Sequence, residues 1–249
     1  MTTIYLIRHG QTDTNIKDGF NGSATDQPLN AVGEQMAADL TPVFTDIPLD
    51  AIYASPLRRA MKTAEGVRGA RPMEILVDPA LRETDFGELD GLDWLESKKK
   101  YPRACYQWIH DVKHFRAPGA TEGVRDVSVR VVAAFLRILR ENRGKTVAIV
   151  GHGMAFSLLT AKLLGKSAAQ YRLYPMLGNT AYRVLEIEDD GHFYLDRWEH
   201  NEHVRPEWRM RRWHMRHRIR RARSCLPGRF FWTPLKITKK ERSASCPST

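Results

Sequence analysis

Residues that can carry out chemistry follow directly after apolar runs of this chain. Arginine, histidine and glycine occupy 8–10 after the first run, a serine and two arginines lie within 55–59 after the second, and His152 stands between two glycines after a later one. Guanidinium groups bind phosphate oxygens through paired, charge-assisted hydrogen bonds. Glycine lets backbone N–H groups approach an anion closely. These residue types therefore predict a pocket for a phosphate group.

The same segments carry groups that can transfer a phosphoryl group. A neutral imidazole held in one tautomer can attack phosphorus and carry the phosphoryl group covalently. Glu83, which follows a further apolar run, is placed to donate a proton to the departing alkoxide and then to activate the water that attacks the phosphohistidine. Together these groups predict hydrolysis of a phosphate ester.

The elements that must position these residues alternate between strands and helices. This order predicts an α/β fold with three layers (α/β/α), in which helices cover both faces of a mostly parallel central sheet. Ligands of such sheets lie beyond the carboxyl ends of the strands, where the polar segments fall. A hairpin turn at 189–191 predicts that the final strand is antiparallel to its predecessor. The predicted strands are Thr3–Ile7, Ala51–Ala54, Glu74–Val77, Thr146–Val150, Ala181–Ile187 and Phe193–Trp198, the first and fourth central, and the predicted helices are Asn30–Phe44, Pro56–Arg68, Thr121–Glu141 and Met154–Leu164.

Four motifs occur in order along residues 1–200. They are Leu6-Ile7-Arg8-His9-Gly10-Gln11-Thr12 with Asn15, Ser55-Pro56-Leu57-Arg58-Arg59-Ala60 leading to Thr63-Ala64, Leu81-Arg82-Glu83-Thr84-Asp85-Phe86-Gly87 with Gly91, and Val150-Gly151-His152-Gly153. In this combination they resemble the motifs of the histidine phosphatase superfamily, also called phosphoglycerate mutase-like. The third motif also resembles that of the small-molecule phosphatase branch. The resemblance implies a phosphoglycerate mutase-like fold.

The resemblance also implies the catalytic residues. His9 matches the family's phosphorylated nucleophile, Glu83 its proton donor, and His152 the second histidine that lines the phosphate pocket. The implied enzyme is a histidine acid phosphatase-like phosphomonoester hydrolase. We expect no metal and no cofactor, because the cationic side chains act on the transferring group as a metal would.

Phosphate binding is implied for four residues of the motifs. Arg8 and Arg59 match the family's phosphate clamps, and Asn15 and His152 match further residues of the phosphate pocket. Arg58 neighbours Arg59, but the Arg-Ala-x-x-Thr-Ala pattern selects Arg59.

The length of the central part of the chain favours a phosphatase over a mutase. Sixty-eight residues separate Glu83 from His152, which resembles the shorter phosphatases rather than mutases with a long closing insertion. We therefore expect hydrolysis of a small phosphorylated metabolite. A phosphoglycerate mutase is one alternative, and a catalytically weak protein that binds a phosphorylated ligand is another. The apolar residues of 91–120 follow neither a helical nor a strand period throughout. We interpret this segment either as a mobile cover over the site or as a loop on the surface.

Charge divides the chain near residue 204. Residues 1–204 contain 25 basic and 27 acidic residues, whereas 205–249 contain 14 basic and two acidic ones. We therefore predict a catalytic domain over 1–204 and a basic, aromatic-containing C-terminal tail over 205–249, with an amphipathic helix over 206–226. Such a tail can bind an anionic membrane or nucleic acid, and it would recruit the weakly catalytic alternative to a surface.

Cysteine usage and hydropathy bear on location. Cys105, Cys225 and Cys246 are scattered and odd in number, which argues against a disulfide framework and favours a reducing compartment. The first apolar run is too short for a secretion signal. These features predict a cytoplasmic protein, peripheral to a membrane if the tail binds lipid. They predict no oligomeric state.

Overall fold

The computed structural model describes residues 1–195, 197–209 and 228–231, and within them seven strands form one sheet. The strands are β1 (Thr2–Arg8), β2 (Ala51–Ala54), β3 (Ile75–Val77), β4 (Thr146–Gly151), β5 (Tyr182–Ile187), β6 (His192–Leu195) and β7 (Gly228–Phe231). Their order is β3-β2-β4-β1-β5-β6-β7. Strands β1 to β4 are parallel, while β5 and β7 run in the opposite direction. The predicted mostly parallel sheet is confirmed, with β1 and β4 at its centre.

Helices cover both faces of this sheet. They are α1 (Asp13–Ile16), α2 (Ala31–Ala38), α3 (Leu40–Phe44), α4 (Arg58–Arg68), α5 (Trp94–Lys100), α6 (Pro102–His110), α7 (Val124–Glu141) and α8 (Gly153–Leu163). Side chains alternate along a strand, so β1 supplies two cores: Ile4 and Leu6 pack with α7 and α8, and Ile7 packs with α3 and α4. No helix in the described part of the chain is long and apolar enough to cross a membrane.

The helix predicted over Asn30–Phe44 is divided in two. Helix α2 ends at Ala38, and α3 begins at Leu40 after a single non-helical residue, Asp39. Pro42 explains the division, because its ring lacks an N–H and clashes with the carbonyl one turn earlier, at Ala38. The outcome is two short helices on the same face.

The final predicted strand, Phe193–Trp198, is shorter in the structure and has a partner that the sequence did not indicate. Strand β6 pairs antiparallel with β5, as the turn predicted, and its other edge pairs with β7 from the basic tail. At the start of the helix predicted over 206–226, Pro206–Trp208 forms a single 3-10 turn and Arg209 has extended backbone. Residues 210–226 of that predicted helix lie outside the described residues.

Residues 91–120 form two short helices, α5 and α6, followed by a 3-10 turn over Val112–His114. An aspartate at the start of α5 and a proline at the start of α6 explain where each begins. Trp94 and Trp108 from these helices line a cavity that also reaches His9. The segment therefore covers the carboxyl end of the sheet, which is the first of its two interpretations.

Candidate active site

His9 lies just beyond the carboxyl end of β1 and is 2% exposed. Its Nδ1 lies 2.6 Å from the carbonyl oxygen of Gly10. Because a carbonyl only accepts hydrogen bonds, Nδ1 carries the proton and Nε2 keeps its lone pair. Burial, followed by the charges of Arg59 and Arg8, lowers the pKa of His9 well below its usual value. The ring is therefore a neutral imidazole in one tautomer, as a nucleophile requires.

Two side chains hold the loop that carries His9. The Gly10 amide donates to the hydroxyl of Thr63 at 3.0 Å, and that hydroxyl donates to the carbonyl of Arg59 at 2.7 Å. Asn179 Nδ2 donates to the carbonyls of His9 and Gly10 at 3.0 and 3.1 Å. These bonds fix the backbone on both sides of the imidazole and link it to α4.

Two arginines lie beside the imidazole, and both keep donors that have no acceptor in the described part of the chain. Arg8 donates Nη1 to the carbonyl of Leu177 at 2.8 Å, and Arg59 donates Nη2 to the carbonyl of Gly22 at 2.7 Å. Within the described residues, Arg8 Nε and both Arg59 Nε and Nη1 are buried and have no hydrogen-bond partner. Burial lowers the pKa of Arg8 to about 10, a value at which the guanidinium is still cationic at neutral pH, and burial also lowers the pKa of Arg59.

His152 adds one more buried polar nitrogen to this group. It lies at the start of α8, is completely buried, and its ring centroid lies 5.2 Å from that of His9. Its Nε2 lies 2.7 Å from the hydroxyl of Ser55, while its Nδ1 has no partner among the described residues. Burial, followed by the charge of Arg59, lowers the pKa of His152 well below its usual value.

Glu83 is held at the start of α8. Its Oε2 accepts from the amide of Met154 at 2.9 Å, and its Oε1 accepts from the amides of Ala155 and Thr84 at 3.1 and 2.8 Å. Arg130 of α7 fixes the backbone behind it by donating to the carbonyls of Ala80, Arg82 and Glu83. The carboxylate is 5% exposed and lines the same cavity as His9.

Asn15 completes the set of residues predicted from the sequence. Its Oδ1 accepts from the amide of Thr12 and from Asn179 Nδ2, which directs the amide nitrogen of Asn15 away from these donors. Asn15 and Arg8 line the cavity, whereas Arg59 and His152 are fully buried next to it and are not among the residues of its wall. All six predicted residues therefore meet at the carboxyl edge of the sheet, four in the cavity wall and two buried beside them.

Two functional contributions were missed at the level of sequence. Asn179 precedes β5, and because β5 is antiparallel, the residues before it lie at the edge where the other strands end. A search restricted to residues after strands cannot find it. Asp90 accepts from the amides of Gly22, Ala24 and Thr25 at 2.6 to 2.9 Å and so holds the loop whose carbonyl binds Arg59.

The two buried imidazoles predict that the protein loses stability in acid. Both imidazoles are neutral in the folded protein, but in the unfolded chain they take up a proton as pH falls below a pKa of about 6.5. The free energy of unfolding therefore decreases as pH falls below about 6.5. Each can contribute up to about 1.4 kcal/mol per pH unit. Urea unfolding at pH 7.5 and 5.0 measures this decrease, and the free energy of unfolding should fall less between the two pH values in His152→Gln than in the wild-type protein.

The matched control for this prediction is His114→Gln. His114 is exposed and pairs with Asp111. We expect it to leave the pH dependence of unfolding as it was. Equal acid sensitivity in His152→Gln and the unchanged protein would contradict a neutral, buried His152.

Comparison with known proteins identifies a family, related sequences and solved structures that this chain resembles. Residues 4–201 match a sequence model of the family described as histidine phosphatase superfamily (branch 1). The uncharacterized phosphatase PhoE of Bacillus subtilis (strain 168) is 31% identical over 165 residues, which cover 66% of this chain and 79% of the relative. The probable phosphoglycerate mutase GpmB of Enterobacter sp. (strain 638) is 34% identical over 176 residues, covering 70% and 80%. The solved structure of Bacillus stearothermophilus YhfR is 33% identical, with a TM-score of 0.71 over 78% of this chain and 95% of that one.

Proposed function

The chain belongs to the histidine phosphatase superfamily, and from this premise we propose that it hydrolyses phosphomonoesters of small metabolites through a phosphohistidine on His9. One observation carries the proposal. Three buried N–H groups of Arg8 and Arg59, together with Nδ1 of His152, surround a neutral imidazole and have no hydrogen-bond partner among the described residues. Leaving several buried donors without acceptors is costly, so such a cluster is suited to an anion with several oxygens. A phosphate group meets that requirement.

Binding places the phosphate against His9. Arg8 and Arg59 donate to its oxygens and neutralise its charge, while Nδ1 of His152 and the amide of Asn15 donate to others. For His152 this requires a proton on Nδ1, so Nε2 accepts from the hydroxyl of Ser55. The same donors stabilise the extra charge that the transition state spreads over the phosphoryl oxygens.

The first chemical step forms a bond between His9 Nε2 and phosphorus. The bond between phosphorus and the ester oxygen breaks, and the protonated carboxyl of Glu83 gives its proton to the departing alkoxide. The carbonyl of Gly10 accepts from Nδ1 and stabilises the positive charge that develops on the ring. The alcohol is the first product.

The second step releases phosphate. Water attacks phosphorus, Glu83 now takes a proton from that water, and the bond between phosphorus and Nε2 breaks. His9 returns to its neutral tautomer and Glu83 to its protonated form, so the cycle closes without a metal. This part of the proposal corresponds to the histidine acid phosphatase-like enzyme predicted from the sequence.

A phosphoglycerate mutase is the alternative that one relative's name supports. Incubation with 3-phosphoglycerate distinguishes the two: a phosphatase releases inorganic phosphate, whereas a mutase forms the 2-phospho isomer and releases none. A protein that only binds its ligand would turn over neither 3-phosphoglycerate nor an aryl phosphate. We expect release of phosphate from an aryl phosphate, and formation of the isomer without phosphate would overturn the proposal.

Arg59 provides a test of the phosphate pocket. We expect Arg59→Ala to weaken binding of inorganic phosphate and to lower kcat/KM by roughly 10²- to 10³-fold, because a preorganised cation is lost from both the ground state and the transition state. Isothermal calorimetry and steady-state kinetics measure the two effects. Arg58→Ala is the matched control, since its side chain is exposed one residue away. Unchanged kinetics in Arg59→Ala would remove Arg59 from the site.

The expected roles of the basic tail remain predictions. Binding to an anionic membrane or to nucleic acid, and with it a location peripheral to a membrane, depends on residues 205–249, most of which lie outside the described part of the chain. The family match ends at residue 201, before that tail begins. A catalytic domain over 1–204 followed by a basic tail over 205–249 is likewise retained as a proposal, although Gly228–Phe231 of that tail pairs with β6.

A further inference from the structure

The cavity above His9 has an aromatic wall. Its volume is about 270 Å³, and the five aromatic residues that line it, defined here as the aromatic wall, are Phe20, Phe86, Trp94, Trp108 and Tyr171. Arg8, His9 and Asn15 line this cavity together with the aromatic residues, so the group attached to a phosphate on His9 lies against the aromatic wall. The nature of that wall therefore decides which leaving groups fit.

The rings of the aromatic wall pack against one another in fixed geometry. Phe20 makes edge contacts with Phe86 at 4.9 Å and with Trp108 at 5.5 Å between ring centroids, and Phe86 contacts Trp108 in the same way at 5.4 Å. Trp94 lies 6.1 Å from Phe20. Aromatic pairs favour edge-to-face and offset arrangements, so a further ring can add to this packing at Trp94 and Trp108, the two residues of the wall that are only half-buried.

Arg172 fixes the aromatic wall from outside and is not among the residues that line the cavity. Its guanidinium lies 4.8 Å over the Trp108 ring, and it donates to the carbonyls of Trp108 and Ile109 and to the hydroxyl of Tyr171. All three of its nitrogens are thus engaged. Arg172 acts as a clamp on Trp108 and Tyr171.

The charges that do line the cavity disfavour a second anionic group on the substrate. Among the lining residues, which all belong to the described part of the chain, Arg8 is the one permanent cation, and it lies at the phosphate end. Asp18 contributes a carboxylate, and Glu83 contributes a carboxyl group that is protonated at this stage of the proposed mechanism and brings no positive charge. A carboxylate on the leaving group would be desolvated against aromatic rings without a cation to pair with, which is unfavourable.

We propose that the substrates are phosphomonoesters of alcohols that carry an uncharged aromatic group, which binds against the aromatic wall. This inference rests on the proposed function and names its substrate class. A cavity of about 270 Å³ lies just below the range of drug-sized ligand sites, so it is suited to one ring or a small fused ring system. 3-Phosphoglycerate and phosphoserine lack the ring and carry the disfavoured carboxylate.

The test compares two ligands that differ only in aromaticity. They are 2-phenylethylphosphonate and 2-cyclohexylethylphosphonate, which have the same connectivity and cannot be hydrolysed, so binding is measured whether or not the protein is a phosphatase. The saturated ring is the more hydrophobic of the two, so a preference for the phenyl ring reports specific ring contacts. By isothermal calorimetry we expect the phenyl compound to bind about threefold to tenfold more tightly. The phosphonate analogue of 3-phosphoglycerate should bind more weakly than both.

Variants assign the preference to the aromatic wall. Trp108→Leu and Trp94→Leu should each reduce the phenyl preference, and Trp94, which is half-buried on a separate helix, provides the result if Trp108→Leu does not fold. Tyr106→Leu is the control, because Tyr106 lies on the same helix as Trp108 but is 67% exposed. Equal affinity for the two ring compounds, or a phenyl preference that persists in both tryptophan variants, would overturn the inference.

The corresponding esters separate this inference from the proposed function. The phosphate esters of 2-phenylethanol and 2-cyclohexylethanol have similarly poor leaving groups, so their kcat/KM ratio should follow the binding ratio. Turnover of both esters at the same kcat/KM contradicts the substrate class and leaves the phosphatase intact. Tight binding of the phenyl phosphonate without turnover of either ester contradicts the phosphatase and leaves the binding preference intact.

Discussion

Replacement of His9 by alanine is expected to lower kcat for an aryl phosphate by roughly four to six orders of magnitude, as loss of a covalent nucleophile does in other enzymes. The Nε2 lone pair that attacks phosphorus is lost, while Arg8, Arg59 and His152 keep their donors. Inorganic phosphate should therefore still bind, with an affinity close to that of the unchanged protein. Steady-state kinetics and calorimetry measure these two properties separately.

Imidazole added to the His9→Ala protein offers a second measurement. A small imidazole can occupy the space left by the side chain and attack phosphorus in its place, so we expect partial recovery of phosphate release that saturates with imidazole concentration. His110→Ala, at the exposed end of α6, is the control and should leave kcat unchanged. A loss of less than about tenfold in His9→Ala would contradict covalent catalysis by His9.

Glu83→Gln is expected to act on substrates in proportion to how poor their leaving group is. Esters of alkyl alcohols, whose alkoxides need a proton to depart, should lose roughly 10²- to 10⁴-fold in kcat. For p-nitrophenyl phosphate, whose leaving group is stable as an anion, formation of the phosphohistidine should lose much less. Rapid-quench measurement of that first step across a series of esters gives the slope of rate against leaving-group acidity, and the slope should steepen in the variant.

Controls separate a proton-transfer role for Glu83 from a structural one. Glu83 accepts from three backbone amides, and Glu83→Gln replaces one of its acceptor oxygens by an NH₂ group, which also disturbs the start of α8. The melting temperature and the affinity for phosphate report that disturbance. Glu88→Gln, at an exposed glutamate that accepts from Tyr101, should change neither slope nor affinity. A uniform loss across all esters would contradict the role of Glu83 as acid.

Much of the fold could be predicted because the central strands are buried on both faces. An apolar run such as Thr146–Val150 is stable mainly as a central strand of a sheet that is covered on both faces. The parallel arrangement of such strands brings the residues after each run to one edge of the sheet. His9 and His152 could be placed together on that ground alone. The resemblance of four motifs then assigned a role to each residue.

The features of the fold and of the site that could not be predicted depend on contacts between segments that are distant in the sequence. The role of Asn179 follows from the antiparallel direction of β5, and the pairing of Gly228–Phe231 follows from an open edge on β6. Neither has a local pattern. The aromatic wall is similar: Phe20, Phe86 and Tyr171 are far apart in the chain, and only their packing under α5 and α6 makes them one surface.

The measurement that tests the central claim most directly is isolation of the covalent intermediate. The protein is mixed with substrate, quenched in alkali within a turnover, digested under conditions that preserve a phosphoramidate bond, and examined by mass spectrometry. We predict one added phosphoryl group on the peptide that contains His9, located on its imidazole, with none in the His9→Ala protein. A phosphoryl group on another residue, or its absence while phosphate continues to be released, would contradict the mechanism.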